Sequence, residues 1–389
     1  MSTIFDIARE AGVSITTVSR ALNGYSDVSE TTRRRVVEIA QSHNYYPSAT
    51  ARNLQGGRTY TVAFAPLLRE HMESEQFFKE FLGLLTLSAF RHDLSLLATI
   101  ADTPSHTNKI YRELAGSGRV DGIILADIKP QDERIDLLGS LDLPFVAFGR
   151  TADYTDHKYP LVDVDNGAGT RAVVDYLASK GHRRLAYLSG PFNTSYSLHR
   201  YSGFRESLQH HGLPMDDRLV IADLQERSNT TEAVARLLSL GQSDSESKSL
   251  RPTAIVAAND HLAWQVIQEL QDRGIAVGSD PTGNSIAVTG FDDLPFAGYV
   301  QPSLTTVRQP IATISNILLD LLVMIIKNEI ESKKKVSPPA KAIRQEQDEQ
   351  HGMYKRVDAP NSSKSEQRVR WIGPMQALVA PELVIRTSA

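Results

Sequence analysis

Apolar residues fall three and four apart at the start of the chain, at Ile4, Ile7, Ala8 and Ala11. This spacing predicts a short helix with one buried face. Thr3, followed three residues on by Asp6, has the form of a capping box, and Gly12 supplies the positive φ at which such a helix ends. Ser14 can cap a second helix whose Val18, Ala21 and Leu22 pack back on the first, with the small Ala8 and Ala11 allowing a close crossing. Left outside on the second helix are Ile15, Thr16, Thr17, Ser19 and Arg20: hydroxyls, one apolar residue, one long donor and no acid. Such a set suits a DNA major groove, where arginine forks onto guanine and apolar groups touch thymine methyls. A third helix is expected from the N-cap Ser29, with Glu30 near its positive end and Val36, Val37, Ile39 and Ala40 closing a three-helix core. Arg33 to Arg35 are a solvated face or a phosphate-contacting one.

Pro47 to Gly57 then has room for about two turns of helix, too short to be stable in water without a partner. After Arg58-Thr59 the pattern becomes short apolar runs alternating with amphipathic helices. Strands are expected over 60–66, 94–100, 120–126, 145–148, 185–188, 255–258 and 286–289. Helices are expected over 77–91, 169–180, 200–211, 231–238 and 262–273. That alternation implies doubly wound parallel sheets with ligands at the strand carboxyl ends, and the length suits two such lobes. Two stretches break the rhythm. Gly241 to Ser249 is polar, and Val336 to Arg370 is rich in Lys, Gln, Ser and Pro, so no packed structure is expected for the middle of the latter.

Composition narrows the chemistry. A chain of 389 residues exceeds one small core, and two or three domains are expected. Zero cysteines exclude disulfides and thiolate chemistry and fit a reducing cytoplasm. Met1-Ser-Thr-Ile-Phe-Asp has the form of neither a signal nor a transit peptide. The longest apolar run, Ile317 to Ile326, contains Asp320 and falls short of a membrane span. The net charge is −4; residues 1–59 carry seven basic against five acidic side chains, +2, leaving −6 for the remainder. Local basicity of this size supports nucleic-acid contact only weakly. Gly-x-Gly-x-x-Ala at Gly167 to Ala172 has the outline of a dinucleotide fingerprint, but the acid expected about twenty residues on is missing. The run is better taken as a crossing between lobes. No phosphate loop, Gly-x-Ser-x-Gly or His-Glu-x-x-His occurs, and no catalytic residue, cofactor or metal site is expected.

The pattern Asp-Ile-Ala-x-x-Ala-Gly-Val-Ser-x-x-Thr-Val-Ser-Arg-x-Leu-Asn, ending at Asn23, resembles the headpiece of the lactose-repressor (LacI/GalR) family of bacterial transcription regulators. Further stretches resemble that family's sensor core in the family's order: Leu143 to Arg150, Lys180 to Gly190, Arg200-x-x-Gly-Phe204, Ala258 to Ala263, Thr289 to Asp293 and Pro302 to Pro310. The resemblance covers residues 1–335 and resumes at Ala377 to Arg386. It implies an all-α helix-turn-helix headpiece (1–46), a hinge helix (47–59) and an α/β, periplasmic-binding-protein-like core (60–389). Lobe one is expected over 60–164 and 300–330, and lobe two over 165–299 and 331–389. By the same resemblance Ile15, Thr16 and Arg20 read bases, while Ser14, Thr17, Arg52, Asn53 and Leu54 meet phosphates or the minor groove. Leu54 takes the place of a wedge that pries open a base step. Phe77, Phe78, Arg150, Thr194, Tyr196, Arg200, Asn259 and Asp292 are the expected effector contacts. The expected partners are double-stranded DNA with a pseudo-palindromic operator, a second copy of the chain, and a mono- or oligosaccharide effector; no membrane is expected. Gln265 departs from the family, which usually has glycine there, and bulky Trp264 adds to the question of how that helix packs.

Overall fold

The first 59 residues form a compact unit of their own. A computed structural model describes residues 2–22, 25, 27–45, 58–66, 75–101, 103–152, 159–224, 226–240, 251–336 and 369–389. Three helices build this unit: α1 (Ile4–Ala11), α2 (Ile15–Leu22) and α3 (Glu30–Ser42). The Asp6 carboxylate accepts from the Thr3 backbone N–H at 2.9 Å and from its hydroxyl at 2.8 Å. Gly12 ends α1 at φ 63°, where a Cβ would be strained. Ser14 and Ser29 cap the next two helices, accepting from the N–H groups of Thr17 (3.1 Å) and Thr32 (3.2 Å). Ile7, Ala11, Val18 and Val36 are fully buried between the three. One expectation fails here: Ser19 is buried, not outward. It follows Val18 by 100° of helix turn, near enough to the inward stripe to be covered.

Residues 60–389 form the second unit. Its first lobe contains β1 (Thr61–Phe64), α4 (Glu75–Arg91), β2 (Ser95–Ala98), α5 (Pro104–Ser117), β3 (Gly122–Leu125), α6 (Glu133–Ser140), β4 (Phe145–Phe148) and β5 (Leu161–Val164). The second contains α7 (Asn166–Ser179), β6 (Leu185–Leu188), α8 (Ser195–His210), β7 (Val220–Ile221), α9 (Arg227–Ser239), β8 (Ala254–Ala257), α10 (Asp260–Asp272), β9 (Ala276–Val277) and β10 (Ser285–Thr289). The chain returns through β11 (Thr306–Arg308) to α11 (Ile311–Val336) and ends in β12 (Val369–Gly373), β13 (Gln376–Val379) and β14 (Glu382–Val384).

The first sheet runs β12-β13-β5-β4-β3-β1-β2 and the second β7-β6-β8-β10-β9. Every pair is parallel except β12 with β13. Each sheet therefore reverses its winding beside its first strand, at β1/β3 and at β6/β8, and the crevice at such a point is where ligands enter. Continuous apolar strands such as Gly122–Leu125 and Ala254–Ala257 are buried along their whole length, as a sheet covered on both faces requires.

Three details differ from the sequence expectation. Residues 369–379 lie in lobe one, not lobe two: β13 pairs with β5, Ala377 opposite Val162, and buries Ala377 and Val379 in that lobe's core. The segment β11 belongs beside the second sheet, since Thr305 bridges Thr289 and β11 pairs with β14. The apolar run 317–326 is part of a 26-residue helix, α11. Over Ile311–Ser332 that helix is long and apolar enough to cross a membrane, yet Ile314, Leu318, Leu319 and Leu322 are fully buried in the first lobe, so it is a core helix. Of the stretch 336–370, only the end of α11 and the start of β12 are described; 337–368 and 241–250 lie outside the described residues.

Candidate functional site

On the headpiece, Ile15 and Thr16 are exposed on α2, Thr17 is half-buried with its hydroxyl 2.8 Å from that of Ser14, and Arg20 is exposed. Arg20 Nη2 lies 2.7 Å from Asp27 Oδ2. Arg52, Asn53 and Leu54 lie outside the described residues.

The eight expected effector residues all line one cavity of about 600 Å³ in the second unit. It opens at the carboxyl ends of β1, β3, β4, β5, β6 and β8, with Phe64, Ala126, Phe148, Val164, Ser189 and Ala258 on its wall. Lobe one contributes aromatic faces. Phe77 on α4 stacks with Phe148 (ring centres 6.3 Å apart) and Phe81 (6.0 Å), and Phe78 stacks with Phe64 (5.8 Å). Lobe two contributes forked polar groups. Arg200 Nε donates to Asn166 Oδ1 at 3.0 Å, Nη1 to the Ala258 carbonyl at 2.6 Å and Nη2 to Asp292 Oδ1 at 3.2 Å. The guanidinium carbon rests 3.6 Å from the centre of the Phe291 ring and 5.1 Å from that of Tyr196. Thr194 is buried at the start of α8, and Asn259 caps α10 by accepting from the Leu262 N–H at 2.8 Å.

Buried charges in the cleft are matched in pairs. Arg150 Nε stands 3.2 Å from Asp163 Oδ2, both almost fully covered. Burial pushes the Asp163 carboxyl up to about 7 although Arg150 pulls it down. Burial likewise raises Asp292 against the pull of Arg200. For Asp132 burial also pushes upward, but the bonds from Arg134, 2.8 and 2.6 Å long, outweigh it and hold the carboxyl below its usual range. Asp292 takes φ 124°, a conformation rare for side-chain-bearing residues, with its N–H donating to the Val307 carbonyl at 2.8 Å and its carboxylate accepting from Gln309 at 2.7 Å. Among the described residues no three His, Asp or Glu side chains are grouped to hold a metal ion.

Sequence reasoning missed Asn166, Gln309 and Phe148. Asn166 had a usable signal, as the first helical residue after a strand's carboxyl end. Gln309 had only its place in the Pro302 to Pro310 stretch, because it reaches the site through the return strand. Gly167 to Ala172 carries no nucleotide-type loop: Asp165 caps α7 through the Ala168 N–H (3.0 Å), and Gly167 packs on Gly203 of α8. The doubt over Gln265 is resolved as well, since it is buried and accepts from the Thr230 hydroxyl at 2.7 Å, tying α10 to α9.

With this geometry in hand, comparison with known proteins gives two family matches. Residues 3–48 match the model of bacterial regulatory proteins, lacI family, and residues 174–346 match a periplasmic binding protein-like domain. The chain is 32% identical over 288 residues to the HTH-type transcriptional regulator AglR of Rhizobium meliloti, covering 74% of this chain and 77% of that one. It is 29% identical over 335 residues to the HTH-type transcriptional repressor PurR of Vibrio cholerae, covering 86% and 94%. A crystal structure of a LacI-family regulatory protein from Chloroflexus aggregans superposes with a TM-score of 0.66 at 28% identity, over 85% of this chain and 98% of that one. The lac repressor dimer bound to operator shares the fold, with a TM-score of 0.70 at 21% identity over 100% and 98% of the two chains.

Proposed function

Because this chain belongs to the lacI family of bacterial regulatory proteins, we propose that it is a cytoplasmic, homodimeric repressor governed by an uncharged sugar. That it is a DNA-binding transcriptional regulator and not an enzyme follows from the family itself. Two copies of α2 read a pseudo-palindromic operator, with Ile15, Thr16 and Arg20 toward base edges and Ser14 and Thr17 toward the backbone. A mono- or oligosaccharide occupies the cleft, its hydroxyls on Arg200, Asp292, Asn259, Arg150, Thr194 and Tyr196 and its apolar ring face on Phe77 and Phe78.

The observation that carries the effector reading is the matching of charge. Each buried guanidinium of the cleft has a carboxylate beside it, Arg200 with Asp292, Arg150 with Asp163 and Arg134 with Asp132, while Lys129 and Asp127 add one of each sign to the wall. A phosphate or carboxylate ligand entering such a site must displace a buried carboxylate from its guanidinium, which leaves one charge uncompensated. Hydroxyl groups donate and accept without that cost. Thermal unfolding with neutral saccharides, sugar phosphates and purine bases tests this. A neutral saccharide at a hundredfold excess over its Kd stabilises by about 2.7 kcal/mol. Stabilisation by sugar phosphates or nucleobases alone contradicts the proposal.

A further inference from the structure

The one long donor on α2 has a carboxylate partner within the headpiece. Besides its 2.7 Å pairing with Asp27, Arg20 places its guanidinium carbon 5.3 Å from the centre of the Tyr25 ring. Asp27 is kept in reach by backbone: the Tyr25 N–H donates to the Arg20 carbonyl at 3.1 Å, and the Val28 N–H donates to the Tyr25 carbonyl at 3.4 Å. From α3, Arg33 donates to that same Tyr25 carbonyl at 2.7 Å. Tyr25 is thereby tied to both helices, and Asp27 sits beside the Arg20 fork.

We propose that Asp27 is a positioning residue for base reading by Arg20. An arginine side chain on a helix surface loses substantial rotamer freedom when it engages a base, and a fixed partner removes part of that freedom beforehand. Asp27 meets the fork at Nη2, and a guanidinium has five N–H donors, so others can turn to a guanine edge. The carboxylate also acts against the wrong target. If Arg20 swings to a nearby phosphate it abandons Asp27 among the phosphates, so backbone contact is penalised where base contact is not. A lone acid on an otherwise acid-free reading face thus lowers affinity for all DNA while sharpening choice at one base pair. The assignment rests on the reading of α2 as the DNA-reading helix.

The test uses the full chain and a pool of randomised double-stranded DNA. Wild type, Arg20→Ala, Asp27→Ala, Asp27→Asn and Asp27→Glu are each measured on the enriched site, on its single-base variants and on non-specific DNA. Arg20→Ala identifies the base pair that Arg20 reads. At that pair alone Asp27→Ala and Asp27→Asn lose about two- to fivefold discrimination, the worth of an exposed ion pair. Both bind non-specific DNA more tightly, and Asp27→Glu recovers part of the discrimination. Unchanged thermal unfolding of the variants separates this from damage to the headpiece. Rising non-specific affinity with unchanged discrimination overturns the assignment, as does an Arg20→Ala loss spread equally over all sequences. A wild type that enriches no two-fold symmetric site overturns the underlying reading, and the assignment with it.

Discussion

A buried guanidinium needs its N–H groups answered, and Arg200 has them answered from three directions: Asn166 at the start of α7, the Ala258 carbonyl at the end of β8, and Asp292 after β10. Lysine cannot serve these together, since an ammonium is a point donor and not a planar fork. Arg200→Lys and Arg200→Ala are therefore both expected to abolish the effector response while operator binding remains. Arg200→Ala also destabilises the core by about 3–5 kcal/mol, because it strands Asp292 without its partner; a retained response to effector in either variant moves the binding site elsewhere. At this scale the sequence was most legible where residue type and motif agree, as at Arg200 and Asp292. It was least so at Ser19, whose covering depends on how far the buried stripe of α2 spreads, and at Gln309, which arrives from another part of the chain.

Helices α7 and α8 meet through glycine. A Cβ on Gly203 would fall 2.7 Å from Gly167 Cα and 2.9 Å from its carbonyl carbon, positions held by backbone, so the helices must separate to admit it. Gly203→Ala is expected to destabilise the core by about 1–3 kcal/mol, read in chemical denaturation, and to weaken effector binding by shifting Arg200 away from Asn166. Unchanged stability would show that the crossing is looser than this contact implies. Elements with a strong local pattern, such as α4, β4, β6 and α10, were legible within a few residues. Those whose identity depends on a distant partner were not. Strand β13 could be placed beside β5 only by its pairing. The start of α11 follows Pro310, while its polar last turns hid its length.

The molecule consists of a helix-turn-helix headpiece and a two-lobed core of periplasmic-binding-protein type, and the proposed regulation is a coupling between the cleft of the core and α2 of the headpiece. Motif pointed to both elements: the lacI family model matches the helix-turn-helix, and the eight residues expected at the effector site line one cavity. The pairing of Arg150 with Asp163 was not foreshadowed, since it joins residues that sequence distance does not associate. Coupling between two sites has a definite thermodynamic signature: a ligand at one must change affinity at the other. The decisive measurement is the affinity of the full chain for its enriched two-fold symmetric site, with and without the neutral saccharide that raises its thermal stability. The predicted result is a change of about 5- to 150-fold in operator affinity, absent in Arg200→Lys. Operator affinity that is the same with and without the saccharide would contradict the account.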